Sequence, residues 1–184
     1  MSVGDGRHEL GPGSGWLQIK TTRTGLGARA GHDLTIEVTR WRADVSVDAA
    51  QPSASSVSID IDADSFEVRE GTGGIKPLTD SDRAQIKTTI RQKVLHTDRH
   101  PDITFRSRRV EGTPESFTVD GDLTITGVTQ PVTLHGRLAD GHVHGSVTVV
   151  QSRWGIRPYT GFLGALKLSD EVTIEFSANL VAGA

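Results

Sequence analysis

The segment at residues 132–149, VTLHGRLADGHVHGSVTV, carries the pattern that decides the fold class. Apolar or small residues occupy every second position over residues 132–138, and again over residues 143–149. Such alternation is typical of strands that bury one face. Asp140-Gly141 separates the two runs, and this dipeptide favours the tight turn of a hairpin. The segment therefore predicts two adjacent antiparallel strands.

The same alternation recurs along the chain, which gives about eight to ten strand candidates. Further runs lie at residues 17–21, 34–38, 43–47, 57–63, 103–107, 117–119, 123–125 and 172–180. Turn-forming residues separate several runs, as at Gln51-Pro52-Ser53 and Asp120-Gly121-Asp122. Antiparallel strands with one apolar face form either a sandwich or a closed barrel, and the pattern leaves both open.

Composition narrows the class of protein further. A chain of 184 residues is most simply one domain. Apolar residues make up only 35% of it and 21 residues are glycine, which favours strands over helices. The net charge of −3 disfavours a nucleic-acid partner, because phosphate binding needs a concentrated positive field. The absence of cysteine excludes disulfides, thiol nucleophiles and cysteine-based metal sites.

The polar, glycine-rich residues 1–15 are expected to form a flexible arm, followed by a single barrel domain at residues 16–184. The chain shows no apolar core of a signal peptide. It also has no run of about 18 apolar residues, the length that a membrane span requires. We therefore expect a cytoplasmic protein with no membrane span.

One segment breaks the alternation and predicts a single helix of about three turns. Thr79–Asp82 is a cluster of N-cap residues, and residues 83–95 contain neither Gly nor Pro. A narrow apolar stripe is formed by Ile86, Ile90 and Val94. Beside it runs a basic stripe, Arg83, Lys87 and Arg91. A solvated face is the default interpretation of the basic stripe, but the pair of stripes also suits an amphiphile with an anionic head.

His32-Asp33 suggests a catalytic dyad, although neighbouring residues of a strand point to opposite faces. A polar start to a strand is therefore the favoured interpretation. Asp60, Asp62 and Asp64 lie on one side of a strand and are expected to form an exposed acidic face.

His142 and His144 lie on one face of a predicted strand, which is a spacing that can chelate a metal. His96 and His100 are four residues apart, but Pro101 opposes a helix there. Neither pair has an evident third ligand, so no metal site is predicted. The apolar segment at residues 161–166 is either a lid over a cavity or packing beneath one end of a barrel.

Several segments resemble the YceI-like family in order and separation. They are HPDITFRS at residues 100–107, VDGDLTITGVTQPV at 119–132, the run at 56–66, RWGI at 153–156 and LSDEV at 168–172. The resemblance covers nearly the whole chain from about Trp16 to Leu180. Asp82 matches an acidic position of the family, but Lys93-Val94-Leu95 stands where relatives often have an aromatic pair.

The resemblance implies an all-β, antiparallel, lipocalin-like barrel of about eight strands with one amphipathic helix. It also implies non-catalytic binding of a polyisoprenoid, an isoprenoid quinone or a fatty-acid derivative, and often a homodimer. No cofactor is expected. Two alternatives stay open, a metal-dependent or hydrolytic enzyme that uses the histidines, and a structural barrel with a filled core.

On this hypothesis the inward-facing apolar side chains line the lipid tunnel. The predicted lining comprises Leu34, Ile36, Val38, Val45, Val47, Ile59, Ile61, Ile86, Ile90, Phe105, Phe117, Leu123, Ile125, Leu134, Val147, Val149, Trp154, Phe162, Ile174 and Phe176. The predicted contacts to a head group are His32, Arg83, Lys87, Arg91 and Arg153.

Overall fold

The computed structural model describes residues 4–161 and 166–180, and these form one curled antiparallel sheet with a single α-helix. The helix α1 spans Asp80–Thr89. The strands are β1 (Gly6–Leu10), β2 (Gly15–Thr24), β3 (Asp33–Val38), β4 (Trp41–Val47), β5 (Ser56–Asp62), β6 (Phe66–Thr72), β7 (Asp102–Thr113), β8 (Ser116–Ile125), β9 (Val128–Ala139), β10 (His142–Val150), β11 (Thr160–Gly161) and β12 (Leu166–Asn179).

The strand pairings, together with the continuity of the chain from β3 to β4, curl the sheet into a barrel. Neighbouring pairs run from β5 through β7, β8, β9, β10 and β12 to β2, and β2 then pairs with β3. The chain of β3 continues into β4, which pairs with β5. The predicted antiparallel barrel is therefore confirmed.

Two bent strands, together with the added strands β1 and β11, explain why the structure has twelve strands and not about eight. β3 and β4 are two halves of one long strand, and β5 and β6 are halves of its partner. At the bend the Thr39 amide donates to the Ser65 carbonyl at 2.9 Å, and the Asp62 amide donates to the Arg40 carbonyl at 3.1 Å. These bonds keep the pairing continuous across the bend. The predicted strand at residues 57–63 accordingly ends at Asp62, before a 3₁₀ turn at Ala63–Ser65.

The predicted hairpin at Asp140-Gly141 is confirmed. β9 and β10 pair from His142 opposite Ala139 onwards, which leaves these two residues as the connection. Asp140 has φ of 52° and Gly141 has φ of 74°. Positive φ at both central positions is the geometry of a type I′ turn, which matches the twist of the flanking strands.

The prediction of a turn at Asp120-Gly121-Asp122 is wrong, because β8 continues through these residues without a break. Thr133 donates a hydrogen bond to Asp120 at 2.6 Å, and Arg108 lies 3.5 Å from Asp122. Gly121 lies beneath the ring of Phe105. Asp120 and Asp122 thus have partners on neighbouring strands, and Gly121 leaves room for the Phe105 ring. These contacts explain why a tripeptide that is typical of turns lies within a strand.

Residues 1–15 are predicted to form a flexible arm, but residues 6–10 of this segment form a strand. These form β1, which pairs along β4 from Gly6 opposite Val47 to Leu10 opposite Ala43. Leu10 is buried against Ala43 and Ala178. The partner strand lies more than thirty residues away, so local polarity gave no sign of this pairing.

The predicted helix forms, with the expected N-terminus. Thr79 accepts from the Asp82 amide at 3.1 Å, and the Asp82 carboxylate accepts from the Thr79 amide at 2.9 Å, which is a capping box. The regular helix ends at Thr89, and Ile90–Val94 continues as one π-helical turn. The apolar stripe of Ile86, Ile90 and Val94 packs against the barrel core.

Candidate functional site

The barrel contains a large and a small cavity, at opposite ends of its interior. The large cavity has a volume of about 770 Å³ and lies beneath helix α1. The small cavity has a volume of about 180 Å³ and lies between β4, β5 and the turns at Pro52 and Pro114. Small-molecule pockets measure about 300–1,000 Å³, so the large cavity alone has the size of a ligand site.

A waist of four side chains, contributed by four strands, borders both cavities. It consists of Leu17, Ile61, Leu123 and Ile174. Leu17 and Leu123 are buried, and Ile61 and Ile174 pack against the same core. The two apolar cavities therefore adjoin at these four side chains, an arrangement that suits a slender ligand better than a compact one.

Most of the predicted lining residues border one of these cavities. The large cavity is bordered by Leu34, Ile36, Val38, Ile61, Ile86, Ile90, Leu123, Ile125, Val149 and Ile174. The small cavity is bordered by Val45, Val47, Ile59, Ile61, Phe105, Phe117, Leu123, Leu134, Val147, Ile174 and Phe176. The structure thus brings these side chains together, and their contact with a ligand stays a prediction.

Two predicted lining residues are placed differently. Trp154 is almost fully buried in the core but borders neither cavity. Its Nε1 donates to the Leu123 carbonyl at 2.9 Å, so it fastens the turn at Gln151–Trp154 to the end of β8. Phe162 lies outside the described residues, as does most of the apolar segment at residues 161–166.

Among the five predicted head-group contacts, His32 alone borders the large cavity. Its Nε2 lies 2.7 Å from the Lys76 carbonyl oxygen, and its ring packs over Gly74. The Asp33 carboxylate accepts from the Arg23 amide at 2.9 Å. His32 and Asp33 therefore have separate partners and do not form a dyad.

Two cations of the predicted basic stripe, Lys87 and Arg91, contact the barrel, and their contact with a head group stays a prediction. Lys87 forms an ion pair with Glu67 of β6. Arg91 bonds to Asp64 through Nε at 2.8 Å, next to the bend between β5 and β6. Both cations are thus paired with carboxylates of the barrel.

Arg83 and Arg153 also lie away from the cavities. Arg83 pairs with Asp80 of its own helix at 2.9 Å. Arg153 stacks over the Trp154 ring at 5.3 Å from its centroid and donates to the Pro131 carbonyl at 3.3 Å. Its guanidinium therefore lies on the outer surface of the barrel.

Three loops surround the mouth of the large cavity. We call them the mouth loops, and they comprise residues 25–32, 73–79 and 155–161. Ala30, Gly31, Ile75, Lys76 and Tyr159 from these loops border the cavity. The cavity is thus open to solvent at the end where the loops and helix α1 meet.

A family model for the YceI-like domain matches residues 17–180. The chain belongs to the YceI-like family. UPF0312 protein YE1254 of Yersinia enterocolitica is 33% identical over 92 residues, and the match covers 50% of this chain and 41% of that protein. Protein YceI of Escherichia coli O6:H1 is 32% identical over 91 residues, with coverage of 50% and 41%. The match thus spans less than half the length of these curated relatives.

The fold is shared with a solved YceI-like structure. The crystal structure of BcnA from Burkholderia cenocepacia superposes with a TM-score of 0.64 at 20% identity, covering 88% of this chain and 94% of that chain. At this identity the likeness concerns the fold alone. Among the described residues of this YceI-like domain, no helix is both long and apolar enough to cross a membrane.

Sequence reasoning missed the polar residues that border the large cavity of this YceI-like domain. They are Thr21, Lys76, Asp82, Gln85, Thr89, Gln151 and Tyr159. Thr21 is buried, and its hydroxyl accepts from the Leu34 amide at 3.2 Å. The others cluster near the mouth, and only the folded arrangement of helix and loops reveals that they share one cavity.

The outer face carries a hydrogen-bonded chain of three side chains. Ser177 Oγ lies 2.8 Å from His142 Nε2, and His142 Nδ1 lies 2.8 Å from Asn179 Oδ1. Order and distances resemble a hydrolase triad. However, Ser177 is only 8% exposed. Its strand is paired on both sides, so the neighbouring amides are committed to the sheet and cannot form an oxyanion hole.

The remaining polar candidates have structural partners. Asp60 pairs with Arg106 at 2.6 Å and Asp62 with Arg40 at 2.8 Å, so the expected acidic face is neutralised by arginines. His144 lies 6.2 Å from His142 between ring centroids. Within residues 4–161 and 166–180, no three His, Asp or Glu side chains are grouped so that they could hold a metal ion.

Proposed function

We propose that this YceI-like domain is a non-catalytic carrier or store for a long apolar lipid, of the polyisoprenoid or isoprenoid-quinone class, held inside the barrel. The observation that supports this most is the large cavity of about 770 Å³, which shares the four side chains of the waist with the small one. Fatty-acid derivatives are the nearest alternative ligands, since they share the same slender shape.

Burial of the ligand chain would supply most of the affinity. Each Å² of apolar surface removed from water contributes about 25 cal/mol, and a long chain offers enough surface to offset the cost of ordering it. The walls of the small cavity are built almost entirely of apolar side chains, and those of the large cavity are mainly apolar. His32 and the polar residues near the mouth would face the polar end of the lipid.

The direct test is native mass spectrometry of the protein purified from its source, with organic extraction of any bound lipid. We expect a bound polyprenol or isoprenoid quinone, or the uptake of one by the delipidated protein. Repeated preparations that are empty and take up neither lipid would contradict the carrier function.

A mutational test uses the residues that border the large cavity. Ile125→Asp places a charge in an apolar wall, and we expect it to abolish lipid uptake. Because Ile125→Asp can also impair folding, Ile86→Trp provides a gentler variant, since Ile86 is only partly buried and fills the cavity from the helix side. Ala84→Trp, at an exposed position of the same helix, is the matched control. Normal uptake by a folded Ile86→Trp protein would count against the proposed site.

Two finer sequence predictions belong with this proposal. A homodimer would be detected by light scattering coupled to size-exclusion chromatography. The cytoplasmic location would be tested by fractionation of the source cells. Neither outcome alters the mutational test above, because that test depends only on the cavity of one chain.

A further inference from the structure

The mouth of the large cavity exposes apolar side chains at the tips of the mouth loops. Leu26 is 102% exposed, Ile75 is 79% exposed and Tyr159 is 47% exposed. Each comes from a different loop, and Ile75 and Tyr159 also border the cavity. Three such side chains around one opening form a surface that water solvates poorly, and they lie next to the path that a lipid would take.

The same loops are rich in positive charge. Residues 25–32, 73–79 and 155–161 contain no Asp or Glu, in a chain with 23 acidic residues and a net charge of −3. They contain the cations Arg29, Lys76 and Arg157, all of which are exposed. In the part of the chain that the structure describes, none of the three side chains forms an ion pair.

Three carboxylates beside the mouth are already engaged. Asp33 is paired with Arg23, Asp80 with Arg83, and Asp82 caps helix α1. The opposite end of the barrel has the reverse charge, because its connections at residues 48–55, 114–115 and 140–141 contain Asp or Glu and no Lys or Arg. The loops at the two ends of the barrel thus carry charges of opposite sign, with the basic set at the mouth.

Side-chain contacts join the first two mouth loops, residues 25–32 and 73–79, to each other. A guanidinium nitrogen of Arg23 donates to the Gly31 carbonyl, and the same guanidinium lies over Gly73. His32 Nε2 meets the Lys76 carbonyl at 2.7 Å. These contacts join the first two loops, so Leu26 and Ile75 are presented together.

We propose that this end of the barrel docks on an anionic lipid bilayer, with Leu26, Ile75 and Tyr159 entering the interface and Arg29, Lys76 and Arg157 facing anionic head groups. Aromatic and aliphatic side chains beside cations are the usual composition of surfaces that bind at the membrane interface. Docking in this orientation places the open cavity against the acyl chains, so an apolar ligand enters or leaves without crossing water. The inference deepens the proposed carrier function and relies on it for its purpose.

Co-sedimentation with vesicles tests the docking directly. We expect the protein to bind vesicles of phosphatidylcholine and phosphatidylglycerol in equal parts, and to bind pure phosphatidylcholine only weakly. The double variant Arg29→Glu, Arg157→Glu should lower the partition coefficient by about thirtyfold or more, since each cation near an anionic surface contributes a factor of about five. Leu26→Ser should also weaken binding. Arg7→Glu, on β1, is the matched control for charge reversal and should bind as the wild type does.

Three results would overturn the docking surface: no binding of anionic vesicles by the wild type, equal binding by the mouth and control variants, or equal binding of neutral vesicles. Analytical ultracentrifugation of Leu26→Ser addresses the other occupant of this face, a second copy of the chain. A dimer that becomes monomeric in this variant, with vesicle binding unchanged, would show that the face is a subunit interface.

Cavity binding is measured separately with the fluorescent fatty acid parinaric acid. The variants Leu26→Ser and Arg29→Glu, Arg157→Glu should keep its uptake, because these residues do not border the cavity. Ile86→Trp should lose the uptake and keep vesicle binding. A wild-type protein that binds parinaric acid but not anionic vesicles would refute the docking alone. A wild-type protein that binds anionic vesicles but not parinaric acid would refute ligand binding in the cavity alone.

Discussion

Three glycines inside the barrel determine where three phenylalanine rings lie. A Cβ built on Gly121 would lie 2.4 Å from Phe105 Cζ, on Gly136 2.5 Å from Phe117 Cζ, and on Gly145 2.6 Å from Phe176 Cζ. Each ring therefore lies flat across the bare backbone of a neighbouring strand. This packing keeps the rings against the wall of the small cavity and leaves its centre open.

Gly136→Ala tests this packing with the smallest possible change. The added methyl group would push the Phe117 ring towards the cavity, and we expect the free energy of unfolding to fall by about 1–3 kcal/mol. Uptake of parinaric acid should fall as well. Chemical denaturation and fluorescence titration measure the two effects. Gly13→Ala is the control, since nothing lies within 4 Å of its added Cβ. Equal stability of the two variants would mean that the ring has room to move.

At the level of elements, helix α1 is attached to the barrel through charged contacts as well as apolar ones. Asp64, beside the bend between β5 and β6, accepts from Thr97 Oγ1 at 2.5 Å and from Arg91 Nε at 2.8 Å. The Thr97 hydroxyl foremost, and then the Arg91 guanidinium, lower the pKa of this carboxyl below its ordinary 3.8. The Thr79 amide lowers the pKa of Asp82 in the same direction.

A lowered pKa in the folded state makes the attachment of the helix sensitive to acid. Because the unfolded carboxyls take up protons first, their stabilisation is present above about pH 4 and is lost as the pH falls through the lower folded values. We expect the free energy of unfolding to decline over that acid range. Thr97→Val should raise the pKa of Asp64 and flatten the decline, as measured by NMR titration and denaturation at several pH values. Asp98→Asn, at an exposed neighbour, should leave the slope unchanged.

The elements differ in how far the sequence predicts them. The hairpin of β9 and β10 follows from local information, because alternation and Asp140-Gly141 lie within one short segment. β1 could not be predicted, since among the described residues it pairs with β4 alone, more than thirty residues further along the chain. The ion pairs of Lys87 and Arg91 with the barrel could not be predicted from the sequence either. The spacing of a basic stripe is the same whether it meets a ligand or Glu67 and Asp64, and only the bend between β5 and β6 brings those acids beneath the helix.

For the whole molecule, β1 covers an edge that the barrel would otherwise expose. Deleting residues 1–10 should expose the edge of β4 and remove the contacts of Leu10 with Ala43 and Ala178. Loss of one buried leucine costs about 1.5–3 kcal/mol, and a bare strand edge invites pairing between molecules. We expect a lower free energy of unfolding and some self-association, measured by denaturation and light scattering. Deleting residues 1–3 alone keeps β1 and is the control. Unchanged stability of the longer deletion would show that β1 contributes little.

The pairing of β2 with β12 has a consequence for biosynthesis. These strands stand near opposite ends of the chain, and their ladder extends from Thr24 opposite Lys167 to Gly15 opposite Ala178. During translation β2 leaves the ribosome early, whereas its partner β12 emerges only after all the strands between them. The nascent domain therefore waits as an open sheet with two unpaired edges and an uncovered apolar interior, a state prone to aggregation. The seam between β2 and β12 closes only once β12 has emerged, and the chain depends until then on whatever shields those edges.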